Sequence, residues 1–154
     1  MPDADILEFN RLTNYCGHWV RFCGWYPDSK IRCWKKEMAW WDNAMVHEDL
    51  HIAEGATQKR IRKDILHYSY YSVREHLERT KRYARLGARE LFAEGKRISL
   101  AMVLVKAMSK FIRNYIILLG FLDGYYGLVI CRMAAYETYL KYALLRRLNK
   151  GMEI

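Results

Sequence analysis

The rhythm of hydrophobic and polar positions changes near residue 72. Before it, short β-prone runs alternate with turn-like PDS, DNA and EGA: ILEF at 6–9, KIRCW at 30–34, VHEDLHI at 46–52 and DILHYSYY at 64–71. None of these sustains a helical period, so each predicts a short strand. After it, Ser72-Val73-Arg74-Glu75 has the form of a capping box, in which the serine side chain and the glutamate satisfy free N–H groups at a helix start. Val73, Leu77, Thr80, Ala84, Ala88 and Leu91 then recur on one helical face until Gly95. A second helix is predicted from Ser99 to about Leu119 and a third from about Tyr125 to Leu148. Asn114 to Cys131 is mostly apolar and long enough to suggest a membrane span. Asp123 in its middle, with Gly120, Gly124 and Gly127, makes a helix, turn and helix the better expectation. The pattern therefore predicts an α+β chain: a strand-rich segment over 1–71 and about three helices over 72–154.

Composition adds that the chain can fold. With 154 residues and 52% hydrophobic content it is long enough for one buried core and too apolar to be disordered. Its charge is more informative by position than by its total of +9. Residues 1–58 hold six Lys/Arg against nine Asp/Glu, residues 59–97 hold twelve against five, and residues 98–154 hold eight against three. The basic excess lies wholly beyond residue 58 and suits a polyanion such as nucleic acid or an anionic bilayer. Arg113, Arg132, Lys141, Arg146, Arg147 and Lys150 flank apolar faces, as in segments that lie on an anionic membrane. Each such charge, taken singly, is more often an ordinary solvated side chain.

Two metal patterns come up. His47-Glu48-Asp49-Leu50-His51 matches H-E-x-x-H, which needs a helix so that both imidazoles face one zinc ion. Here it sits among β-prone runs, Gly55 follows closely, and Glu54, Glu75 and Glu78 are third-ligand candidates without a recognisable signature, so a zinc protease is disfavoured. Cys16, His18, Cys23 and Cys33 are irregularly spaced for zinc. The four cysteines form no CxxC pair and no secretory signal is read ahead of them, which predicts reduced thiols in a cytoplasmic setting.

A series of motifs in order carries a family resemblance. GWYPDSKIRCWKK at 24–36, the Trp40-Trp41 pair, VHE at 46–48, LHYSYYS at 66–72, YARLGARELFAEGKR at 83–97 and FIRNYIILLGFLDGYYGL at 111–128 together resemble the C-terminal portion of bacterial glycosyltransferase family 2 proteins of the lipopolysaccharide-core β-glucosyltransferase type. The resemblance implies an A-type glycosyltransferase fold, here its acceptor-side part. It also implies one inverting displacement that moves a sugar from a nucleotide sugar, a UDP-sugar by expectation, to a lipid-linked or lipopolysaccharide-core acceptor. Such a displacement needs a carboxylate to take the acceptor proton. Glu48 is the first candidate and Asp49 the second. By the same resemblance His67 is a candidate ligand of the divalent cation, magnesium or manganese, expected with the donor diphosphate. Lys30 and Arg32 are candidates for phosphate or acceptor binding, and Trp25, Tyr26, Trp40 and Trp41 for a sugar-stacking wall, although aromatic residues near strands are more often core.

Family members carry a nucleotide-binding βαβ region and a D-x-D motif upstream of the part resembled. Asp3-Ala4-Asp5 spells D-x-D without the strand that would aim it. The expectation is a truncated or split member whose donor half is a separate N-terminal chain, peripheral on the inner face of the cytoplasmic membrane. The alternative is a non-enzymatic basic module that binds anionic membrane or, less favoured, nucleic acid.

Overall fold

The computed structural model describes residues 3–41 and 50–154. The fold is α+β, with short strands in two sheets followed by three helices. The strands are β1 (Ile6–Tyr15), β2 (His18–Val20), β3 (Ser29–Trp34), β4 (Ala39–Trp41), β5 (Leu50–Ile52) and β6 (Gln58–Tyr70). The helices are α1 (Val73–Ala93), α2 (Leu100–Ile112) and α3 (Gly124–Leu148). The chain groups into two compact units: Met1–Leu12 with Pro27–His67, and Thr13–Tyr26 with Tyr68–Ile154.

In the strand unit, β1 pairs antiparallel with β3 from Ile6↔Trp34 to Asn10↔Ser29, with a register shift between Leu7 and Glu8. β4 and β5 form a separate antiparallel ribbon, Ala39↔Ile52 to Trp41↔Leu50. Asp5 ties the start of β1 to its surroundings: it receives the Lys35 ammonium at 2.7 Å and both the hydroxyl and the backbone N–H of Thr57. These donors, Lys35 first, hold its carboxyl well below the usual carboxylate range. Among the described residues Ala4, Ile6, Leu12 and Ala39 are the buried apolar ones here.

In the helical unit, β1 turns into β2 through Cys16 and Gly17, both at positive φ, with Tyr15 opposite His18. Positive φ at both positions is the requirement of the tightest two-residue hairpin turn, and Gly17 meets it without strain. Tyr15 is wholly buried and anchors a cluster with Val20, Cys23, Ile130 and Cys131, onto which Trp25, Tyr70, Phe111 and Tyr126 pack. A second cluster joins Ala88 of α1 to Leu144 and Leu145 of α3.

The predicted serine cap forms, with the glutamate reaching back to Tyr71, one residue before the N-cap position that a capping box uses. Ser72 Oγ accepts the Glu75 N–H at 3.1 Å and Glu75 Oε2 accepts the Tyr71 N–H at 3.1 Å. Of the predicted inner face, Thr80, Ala84 and Ala88 are buried, Val73, Leu77 and Leu91 are half-buried, and His76 joins the buried set. Gly95 follows the helix at φ +73°. Ser99 caps α2 by accepting the Met102 N–H. The predicted helix, turn and helix is also present: a π-helical turn at Arg113–Ile117 and a 3-10 turn at Gly120–Asp123 lead into α3. Across this break the two helical arms meet at 72°, and among the described residues no single helix is long and apolar enough to cross a membrane.

Candidate functional site

The candidate site residues from the sequence fall in different places. Glu48 and Asp49, with His47, lie outside the described residues. His51 is on strand β5, where its ring stacks on Trp40 with centroids 6.1 Å apart. Trp40 and Trp41 are about half exposed on β4, and Trp41 meets Trp34 edge to face. An accessible aromatic ribbon of this kind suits stacking on a sugar face. On β3, Arg32 is exposed and Lys30 pairs with Asp28 at 3.2 Å, which also receives Arg11. His67 is partly buried on β6.

Trp25 and Tyr26 belong to the helical unit. Trp25 packs edge to face on Tyr15, 5.9 Å between centroids, and against Tyr70 and His76, so its ring is part of an aromatic core. Tyr26 lies under the Arg21 guanidinium. Among the described residues no three His, Cys, Asp or Glu side chains are grouped as a metal site. Cys16, Cys23, Cys33 and Cys131 are all free thiols. Cys23 and Cys131 are buried together, and the hydrogen bond between them, foremost, raises the Cys23 thiol and lowers that of Cys131.

The helical unit holds a basic groove. A groove of about 490 Å³ between α2 and α3 is lined by Lys106, Lys110, Arg113 and Lys141, with Ser109 and Tyr142 among its polar groups. The Lys106 and Lys141 ammonium groups sit 5.0 and 5.2 Å from the Tyr142 ring centroid. Four cations along one groove make a positive cradle for an anionic group. Glu137, near Lys110 and Lys141, has its carboxyl pushed up by burial, against the lowering pull of those two cations.

Apolar side chains are also exposed along α2. Met102 and Val105 line the groove itself, whereas at 100° per residue Leu104, Met108 and Ile112 follow one another along the flank of α2 opposite Lys106 and Lys110. These three side chains are 47–60% exposed, although α2 is otherwise a strongly apolar helix. Sequence reading found Arg113 and Lys141 and missed Lys106, Lys110 and Tyr142. The spacing Lys106, Lys110, Arg113 was a legible i, i+4, i+7 signal; the approach of Tyr142 and Lys141 from α3 was not.

A smaller cleft of about 380 Å³ opens between α1 and α3, lined by Val73, Leu77, Val129, Arg132, Met133 and Tyr136. It is mostly apolar and has one cation at its edge, so it offers less to an anion than the groove. Compared with known proteins, the chain matches no family model and no solved structure.

Proposed function

We propose that the chain is the acceptor-side part of a family 2-like inverting glycosyltransferase, and that its helical unit holds it on an anionic membrane face where a lipid-linked acceptor resides. The observation that supports the membrane half is the four-cation groove with the exposed apolar side chains of Met102 and Val105 in its own lining. Basic attraction and apolar burial are the two components of interfacial binding. The transferase half rests on the ordered motif series, with Glu48 as the base, Asp49 as its second, and the exposed Trp40-Trp41 ribbon as a sugar-stacking surface. In the proposed reaction Glu48 takes the acceptor hydroxyl proton as that oxygen attacks the anomeric carbon and the nucleotide diphosphate leaves. Magnesium or manganese would neutralise the leaving diphosphate, with ligands other than His67 supplied by a donor-binding half.

The test is kinetic. Alone, the chain should bind UDP-sugars weakly or not at all in calorimetry with either metal. Joined to a family 2 donor-binding half it should turn over, and Glu48→Gln should lower kcat by about a hundredfold or more with donor binding retained. Loss of activity with His51→Ala but not with Glu48→Gln would overturn this assignment. The second reading is a non-enzymatic membrane module. The exposed apolar stripe favours lipid over nucleic acid as its target, because phosphate-backbone binding needs charge and gains nothing from exposed Leu, Met and Ile.

A further inference from the structure

The corner between α2 and α3 carries more than a docking surface requires. From Asn114 to Cys131 the chain has a single charged residue, Asp123. Its side chain is only 4% exposed. Its carboxylate accepts the backbone N–H groups of Arg21 at 3.2 Å and Phe22 at 2.8 Å and lies 3.3 Å from His18 Nε2. The one charge that would oppose entry into hydrocarbon is therefore withdrawn and satisfied inside the unit. An exposed carboxylate there would be costly in a bilayer, whereas a buried and hydrogen-bonded one leaves the outer surface neutral.

What remains outside at the corner is apolar. Ile116, Ile117, Leu119, Phe121, Leu122 and Tyr125 are 43–68% exposed within ten successive residues. Arg113 and Arg132, both exposed, bound this stretch on either side, and the groove of Lys106, Lys110 and Lys141 opens behind it along α2 and α3. A patch this concentrated on a water-facing surface marks a binding site. The occupant must be apolar where it meets the corner and anionic where it meets the groove. A second copy of this chain fits poorly, because its residues 98–154 would bring eight cations against three acids onto the same positive surface. An anionic lipid leaflet has the required order of apolar chains and phosphate.

We propose that the corner Ile116–Tyr125 enters the acyl region of one leaflet while Lys106, Lys110, Arg113 and Lys141 hold lipid phosphates at its shoulder. This rests on the membrane-docking reading above and adds the inserting segment, the headgroup site and the reason Asp123 does not prevent entry. Insertion to about 5–10 Å, the usual depth of interfacial segments, needs no spanning helix.

The experiment uses the whole chain and vesicles of phosphatidylcholine with and without phosphatidylglycerol. The paired change Ile117→Asp with Leu122→Asp should lower partitioning onto the mixed vesicles by at least about tenfold. Both side chains are exposed, so circular dichroism should be unchanged. Lys106→Gln with Lys110→Gln should remove the preference for phosphatidylglycerol. The indole introduced by Leu122→Trp should be quenched by lipids brominated on their acyl chains. If the parent chain binds anionic vesicles and the corner variant binds equally well, or the new indole is not quenched, insertion is refuted while surface docking stands. If the folded parent chain binds no vesicle, the docking reading itself fails. If it self-associates in solution and the corner variant is monomeric, the corner is covered by a second copy and the lipid assignment is wrong.

Discussion

His76 sits on the inner face of α1, where its Nδ1 shares a 2.9 Å hydrogen bond with the hydroxyl of Tyr15 and its ring lies 4.4 Å from that of Tyr70. Burial first, and then the nearby Arg79 charge, lower its pKa from 6.5 to about 4. Burial also raises the Tyr15 hydroxyl above its ordinary range, so both partners stay neutral. The sign of the linkage follows: the unfolded chain binds the proton more readily, so the stabilisation is complete above about pH 6.5 and is lost as pH falls through about 4. The expected loss over that window is on the order of 2–3 kcal/mol, measurable as a falling urea midpoint. His76→Phe should flatten that slope, and an unchanged slope would assign it to another group. Nothing in the α1 pattern marked His76 as buried, because the partner that accepts it, Tyr15, is 61 residues earlier.

The α2–α3 corner depends on two glycines for different reasons from the one that ends α1. A Cβ at Gly127 would overlap the Gly120 carbonyl oxygen, and one at Gly120 would lie 2.7 Å from both the Asn114 carbonyl oxygen and Cys131 Sγ. These are close approaches of backbone that leave no room for a methyl group. Gly95 has open space around it but sits at φ +73°. Gly127→Ala should therefore destabilise by about 1–3 kcal/mol through overpacking. Gly95→Ala should cost about 1 kcal/mol through backbone strain alone. Urea unfolding of the two variants checks the order, and a larger loss at Gly95 would contradict the packing argument. The three glycines were all readable as breaks in the helical pattern. Which of them are steric could not be read, because the atoms they approach come from other turns. Strands β2 and β4 escaped the pattern for a related reason: each is three residues long and is defined by its pairing partner.

The positive charge of the whole chain forms a continuous groove only where the fold collects it. If the helical unit docks through Lys106, Lys110, Arg113 and Lys141, partitioning onto phosphatidylglycerol vesicles should weaken as salt rises. Screening shortens from about 8 Å at physiological ionic strength to about 3 Å at 1 M. Each basic contact near an anionic leaflet contributes about 1 kcal/mol, so the loss should be several-fold or more. Residual binding at high salt should equal that to neutral vesicles, since the apolar corner is indifferent to ionic strength. Salt-independent binding to the anionic vesicles would contradict the headgroup role of the groove.

Local periodicity determined the start of α1, the inward face of Thr80, Ala84 and Ala88, and the break between α2 and α3. Caps, helical faces and glycine turns are set by residues within a few positions of one another. The family resemblance offered Trp25 as a sugar-stacking candidate, with a core position as the commoner alternative, and the hydropathy pattern treated Asp123 mainly as an interruption of an apolar run. Tertiary structure put Trp25 against Tyr15 and turned Asp123 inward onto Arg21, Phe22 and His18, about a hundred positions away in sequence. It also brought Lys141 and Tyr142 of α3 to the Lys106 and Lys110 edge of α2. A hydropathy pattern records which side chains prefer to leave water. Which of them find a partner inside, and which are left facing out, depends on contacts distant in sequence.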